Sequence, residues 1–306
     1  MPLKIAFSTV ACPDWTLDQV AAKAKEFGFD GVELRTLGPG SDKLASDPAL
    51  STPHKVKHVL ADAGVEPVCL STSLALHHHD ETSIKSVRVQ IARMLEEAGE
   101  MGCRSLRVFG NAVKPAPMFG AETSRTVLMR MAENTRPLLD KAGEAGVQLL
   151  FENAGSFCAA KHWWWMLNLL EHPMAGLSWN PANAAAIGES SMVSVPMLNY
   201  RIHLAKLKDI VIGTGAGWVQ LGEGNVGVQA YIQRLLGVGY DGYLSIEWDR
   251  LWFPTLAPAD EYLPEAIKRV REWLAAASER FDLYRKTEDK ELKKREPKSR
   301  EALAAK

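Results

Sequence analysis

The chain has 306 residues, 46% of them hydrophobic and 24% charged, which are ordinary proportions for a globular protein and enough for one large α/β barrel or two average domains. A formal net charge of -1 gives no reason to expect a nucleic-acid partner, and no apolar run is long enough to span a bilayer. The first residues enter a strand-like segment without the marks of a signal peptide, and Cys12, Cys69, Cys103 and Cys158 form no C-x-x-C pair. The expected compartment is therefore a reducing cytoplasm.

Lys4 to Thr9 reads as a first strand. A helix opens at Thr16, which stands in capping-box spacing with Gln19; Leu17, Val20, Ala21, Ala24 and Phe27 recur at helical period, and Gly28 stops it. Gly31 to Arg35 is a second strand, Pro53 to Ala63 a helix, and Val65 to Ser71 a third strand that leads into His77-His78-His79. The next helix ends near Met101. Ser105 to Phe109, Val147 to Glu152 and Gly176 to Asn180 are strands four to six, separated by helices over Glu122 to Ala145 and Lys161 to Glu171. A short helix near Met192 to Leu198 precedes strand seven, Tyr200 to Lys208. A glycine-rich loop, Gly213 to Gly227, and a helix from Val228 to Leu236 lead to strand eight, Tyr243 to Trp248. A last helix runs from Pro264 through Ala276.

Eight short strands alternating with helices predict an α/β fold, a single (β/α)8 TIM barrel over residues 1–284. A doubly wound sheet is disfavoured, since no G-x-G-x-x-G follows the first strand. Residues 285–306 mix both signs of charge with few apolar groups and are expected to form a solvated, charged helical tail.

Strand seven, Y-R-I-H-L-A-K-L-K, carries more charge than an enclosed strand normally does. Alternation along each strand gives a set of inward residues. Glu152 shares its face with Leu150 and Gln148, Glu247 with Ser245, and Asn180 with Ser178 and Gly176. Lys206 goes with Leu204 and Ile202, which leaves His203 on the opposite face unless a bulge shifts the parity; Glu33 and Arg107 are further inward candidates. Charges enclosed in this way must be paired or metal-bound, and the members at strand ends fall at the C-terminal mouth, where barrel enzymes place their chemistry.

The segments F-S-T-V-A-C-P-D-W-T-L, E-F-G-F-D-G-V-E-L-R, R-V-F-G, L-F-E-N, W-N-P-A-N-A, K-L-K-D, L-G-E-G and G-Y-D-G-Y-L-S-I-E-W occur in an order and spacing that resemble the xylose isomerase-like TIM barrels. The resemblance covers nearly all of residues 4 to 276 and implies sugar isomerase or epimerase chemistry. It also implies a divalent metal held by Glu, Asp, His and Glu at the ends of strands five to eight. Glu152 and Glu247 match the two glutamates. Asn180 stands at the aspartate position, with Pro181 and Asn183 kept, and Lys206 stands at the histidine position, with Lys208 and Asp209 kept.

An amide oxygen is a weaker ligand than a carboxylate, and an ammonium has no lone pair. Glu152, Asn180 and Glu247 are therefore expected to hold Mg or Mn weakly or not at all, with the Lys206 ammonium in the cation's place. On this reading Glu152 and Glu247 act as acid and base through an enediolate that Lys206 helps to stabilise. Asn183, Lys208, Arg107, Glu33, Trp15 and Trp248 are the substrate-binding candidates, the last two as apolar walls or core, and the partner is a small polyhydroxy compound. The alternative is a non-catalytic or regulatory carbohydrate-binding barrel; a Schiff base on Lys206 ranks below both. A homo-oligomer stays open, with Trp163-Trp164-Trp165 as core or subunit contact. The glycine-rich loop is expected to cover the mouth through Trp218, and the histidine run to be solvated.

Overall fold

The computed structural model describes residues 3–37, 43–44, 52–110, 123–215 and 217–295. Eight parallel strands form the barrel: β1 (Lys4–Ser8), β2 (Gly31–Leu37), β3 (Glu66–Ala75), β4 (Ser105–Phe109), β5 (Gln148–Glu152), β6 (Ala175–Trp179), β7 (Ile202–Leu207) and β8 (Tyr243–Ile246). Each pairs with its sequence neighbours, and β1 pairs with both β2 and β8, so the sheet closes on itself. The predicted barrel is observed.

Around it lie α1 (Leu17–Phe27), α2 (Pro53–Ala63), α3 (Glu81–Met101), α4 (Ser124–Ala145), α5 (Ala160–Leu170), α6 (Pro181–Ala186), α7 (Ser191–Leu198), α8 (Val228–Gly237) and α9 (Ala259–Arg295). Local sequence explains their ends. The Thr16–Gln19 capping box closes in both directions, and Gly28 ends α1 at φ 83°, a left-handed turn that sends the chain back into β2. The last helix begins before Pro264, which lies in its second turn, and continues past residue 284 into the charged segment; residues 296–306 lie outside the described residues.

The core has two parts. A large layer between strands and helices includes Phe7, Leu34, Phe151, Trp163, Trp179, Leu207 and Ile246. A small inner cluster of Ala6, Val68, Cys69, Leu150, Leu204 and Tyr243 fills the interior, and the charged groups are stacked in the barrel beyond it.

Besides register shifts at the β2–β3 and β3–β4 pairings, two departures from simple alternation bear on the predicted inward residues. At the β6–β7 pairing the register passes from Leu177–Ile202 to Ser178–Leu204, leaving His203 as an extra residue. The expectation that Ile202 faces inward is thereby corrected: Ile202 packs in the outer layer, while Leu204 remains in the inner cluster. The His203 ring lies 2.1 Å from where a Cβ on Gly176 would be, so only glycine fits opposite it. The second departure is α6. Asn180 ends no strand; it caps a helix, its side-chain oxygen accepting from Ala182 N at 3.1 Å with Pro181 in the first turn.

Candidate active site

The groups predicted to face inward converge. Lys206 is fully buried on β7, and its ammonium reaches Glu33 Oε1 and Oε2, each at 2.6 Å, and Glu247 Oε2 at 2.7 Å. Those three contacts match the three protons an ammonium carries. Glu33 is completed by hydroxyls from two further strands: Ser71 donates to Oε1 and Ser245 to Oε2, each at 2.5 Å. Burial alone would favour neutral forms. For Lys206 the nearby Glu247, Glu33 and Glu152 outweigh it and hold the ammonium protonated well above the ordinary lysine range. For Glu33, Lys206 and Arg107 outweigh burial and lower the carboxyl.

Glu247, just beyond β8, accepts from Lys206 on one oxygen; on the other it accepts from Lys208 Nζ at 3.2 Å and Asn180 Nδ2 at 3.3 Å. Burial acts against its charge, but Lys206 and Lys208 hold it far below the usual carboxylate range. Glu152, at the end of β5, receives only the long contact from Asn180 Nδ2 to Oε1, at 3.4 Å. Its Oε2 lies 3.0 Å from Arg107 Nε, but neither atom has a properly directed hydrogen bond among the described residues. Burial raises the Glu152 carboxyl, Arg107 offsets part of the rise, and Glu247 adds to it. Two neighbouring carboxyls are thus pushed in opposite directions.

Residues that the sequence reading did not single out complete the arrangement. Asp249 Oδ2 accepts from Lys208 Nζ at 2.5 Å and from the Trp218 indole at 2.6 Å. Arg35, buried on β2, donates to the carbonyls of Thr36 and Ser71 and to Ser73 Oγ. Burial, then Arg107, lower its guanidinium to about 10. Both residues lie two positions beyond an inward glutamate, Glu247 or Glu33, so alternation carried one step further finds them. Four carboxylates (Glu33, Glu152, Glu247, Asp249) stand against four cations (Arg35, Arg107, Lys206, Lys208), and formal charge closes within the protein.

The glycine-rich loop is tied down from below. Asp209 accepts from the backbone amides of Ile210, Gly222, Gly224 and Val226, and Trp218 stacks on Phe253 with centroids 4.0 Å apart. Other candidates are committed elsewhere. Trp248 turns to the helix layer, stacked on Tyr262 at 3.9 Å with its indole donating to Ala257 O. Trp15 packs edge-on against Phe7. Asn183 donates to the carbonyl of Asn153. The His77 and His78 rings stack on one another while Arg130 and Asn134 hold their carbonyls. Trp163 is buried, whereas Trp164 is partly exposed.

The residues do not fit the implied metal. The Asn180 oxygen is the atom that accepts from Ala182 N–H, so its NH2 points at Glu152 and Glu247, where a cation would need a lone pair. Lys206 offers none either. Among the described residues no group of three His, Cys, Asp or Glu side chains is arranged to hold an ion.

A family model for xylose isomerase-like TIM barrels matches residues 21–276. The chain belongs to this family. Comparison with curated proteins finds no match. Solved structures of similar fold include an L-ribulose 3-epimerase (16% identity, TM-score 0.74, covering 92% of this chain and 98% of that one). Another is the IolI protein with a bound zinc atom (16%, 0.73, 90% and 99%). A third is a xylose isomerase domain protein from Planctomyces limnophilus (17%, 0.68, 91% and 98%). At these identities the likeness is one of fold, so the xylose isomerase-like barrel of this chain must be read through its own side chains.

Proposed function

We propose that the protein is a sugar isomerase- or epimerase-like enzyme that moves a proton between carbons of a small polyhydroxy carbonyl compound through an enediolate, without a resident metal. The observation that carries this reading is the Glu152–Asn180–Glu247 bridge, in which one carboxyl is raised and its neighbour lowered. Such a split is how proton-transfer sites divide acid and base roles. Glu152 exchanges the proton, Glu247 stays ionised, and Lys206 fixes Glu247 and supplies positive potential from beneath. Lys208, paired with Glu247, and Arg107, paired with Glu152, are the cations that can meet an enediolate oxygen. The family and the fold of an L-ribulose 3-epimerase support the substrate class.

The imine route is disfavoured, because Lys206 is fully buried and held protonated by three acceptors. The same saturation favours a second reading, a carbohydrate-binding barrel with no turnover. Proton NMR in deuterated water separates the two. Common aldoses and ketoses should exchange a C–H proton with wild-type protein and not with Glu152→Gln, whereas sugar-dependent stabilisation without exchange would establish the binding barrel. All four cysteines are free thiols and no helix among the described residues is long and apolar enough to cross a membrane; we keep the cytoplasm as the working compartment.

A further inference from the structure

We propose that Glu152 moves the proton alone, on one face of the substrate, so that this barrel interconverts aldoses and ketoses and does not epimerise a carbon. This rests on the proton-transfer reading above and narrows it. Epimerisation removes a proton from one face of a carbon and returns one to the other, which takes two groups that alternate as base and acid. Transfer between adjacent carbons of one face needs a single group that keeps the proton it took.

The hydrogen-bond inventory decides between them. Glu247 accepts from two ammonium groups and one amide, which fill three of the four positions its two oxygens offer, and the two cations hold it ionised. Lys206 has nowhere to go, because its other contacts are the two oxygens of a fully buried Glu33. Glu152 is the opposite case. Its Oε2 has no directed donor among the described residues, and its Oε1 receives one long contact. It can take a proton at the cost of one ion pair, with Arg107 at 3.0 Å, which carries no directed hydrogen bond. Lys208 spends two of its three protons on Glu247 and Asp249, its side chain is 13% exposed, and its third proton, with the Trp218 ring 5.8 Å away, has no oxygen acceptor and can meet a substrate oxygen.

The step balances without a co-reactant. Glu152 takes the proton from C2 of an aldose; the C2–H electron pair forms the C1–C2 double bond, and the C1 carbonyl oxygen becomes an oxyanion facing Lys208. Glu152 then returns its proton to C1, the C2 hydroxyl proton passes to O1, and C2 becomes the carbonyl of the ketose.

Aldoses carrying deuterium at C2 (D-glucose, D-xylose, D-ribose and L-arabinose) are incubated with wild-type enzyme in ordinary water, and products are read by NMR. The expected result is a ketose with part of the deuterium at C1 and the rest lost to solvent, and no product from Glu152→Gln. A C2 or C3 epimer carrying solvent hydrogen would overturn the single-base site while leaving the proton-transfer reading standing. So would a ketose that retained all its deuterium, the mark of a hydride shift, or none. Conversion of no sugar would overturn both.

Discussion

Lys206 Nζ lies 2.6 Å from both carboxylate oxygens of Glu33, a residue 173 positions earlier in the chain. The two come from β7 and β2, with β8 and β1 between them, so this pair spans the barrel interior. Removing one partner of a buried ion pair typically destabilises by about 3–5 kcal/mol, because the other is left charged and unpaired. Lys206→Met should therefore lower unfolding stability by an amount in that range, measured by urea titration. Adding Glu33→Gln should recover part of the loss, because it removes the stranded charge.

Metal binding should follow the donors. Wild-type protein should show no thermal stabilisation by Mn2+ or Mg2+ at millimolar concentration. Asn180→Asp with Lys206→His should acquire it, with a gain of about 2.7 kcal/mol when the ion is at a hundred times its Kd. Strong Mn2+ stabilisation of the wild type would remove the argument from Asn180 and Lys206.

The pH dependence of stability has opposite signs at Glu247 and Glu152. Glu247 and Glu33 are lowered in the fold, so the stability they contribute is present above the ordinary glutamate value of 4.5 and is lost as pH falls through their folded values. Glu152 is raised, so the native state holds its proton more tightly than the unfolded chain does. Its contribution declines as pH rises from 4.5 through the raised value. Burial and Glu247 also raise the Asp249 carboxyl, so denaturation across pH 4 to 8 should show a smaller decline in Glu152→Gln than in the wild type.

Much of the architecture was legible in the chain itself. Period-2 and helical patterns placed all eight barrel strands, and the Thr16–Gln19 spacing marked where α1 begins. Alternation also found Glu152, Glu247, Lys206, Glu33 and Arg107. It missed the local conflicts. Asn180-Pro181 is a cap followed by a first-turn proline, a helix start that looked like the end of a strand. A bulge at His203 was open from the sequence, but its place shows only against the partner strand, where Gly176 leaves room for the ring. What surrounds Lys206 is set by residues far apart in sequence, Glu33, Ser71 and Ser245, and no short motif encodes it.

The bulge gives its own prediction. Gly176→Ala should destabilise by about 1–3 kcal/mol, since its methyl group meets the His203 ring. Combined with His203→Ala, the loss should largely disappear in the same urea assay; a purely additive double variant would show that the two positions do not touch.

The loop offers a separate check. With Asp209→Ala, four backbone amides lose their acceptor, and hydrogen exchange at Gly222, Gly224 and Val226 should accelerate at least tenfold. The rest of the barrel should keep its protection.

Set against the aspartate and histidine that the family resemblance implies at their positions, Asn180 and Lys206 leave the formal charge of the site the same. Three carboxylates with a divalent ion carry one net negative charge, and Glu152, Glu247 and the Lys206 ammonium carry the same. A cation built into the chain is made at the ribosome. It cannot be chelated, oxidised or exchanged for a competing ion, and the mouth keeps its charge balance whatever metals the cell has to hand.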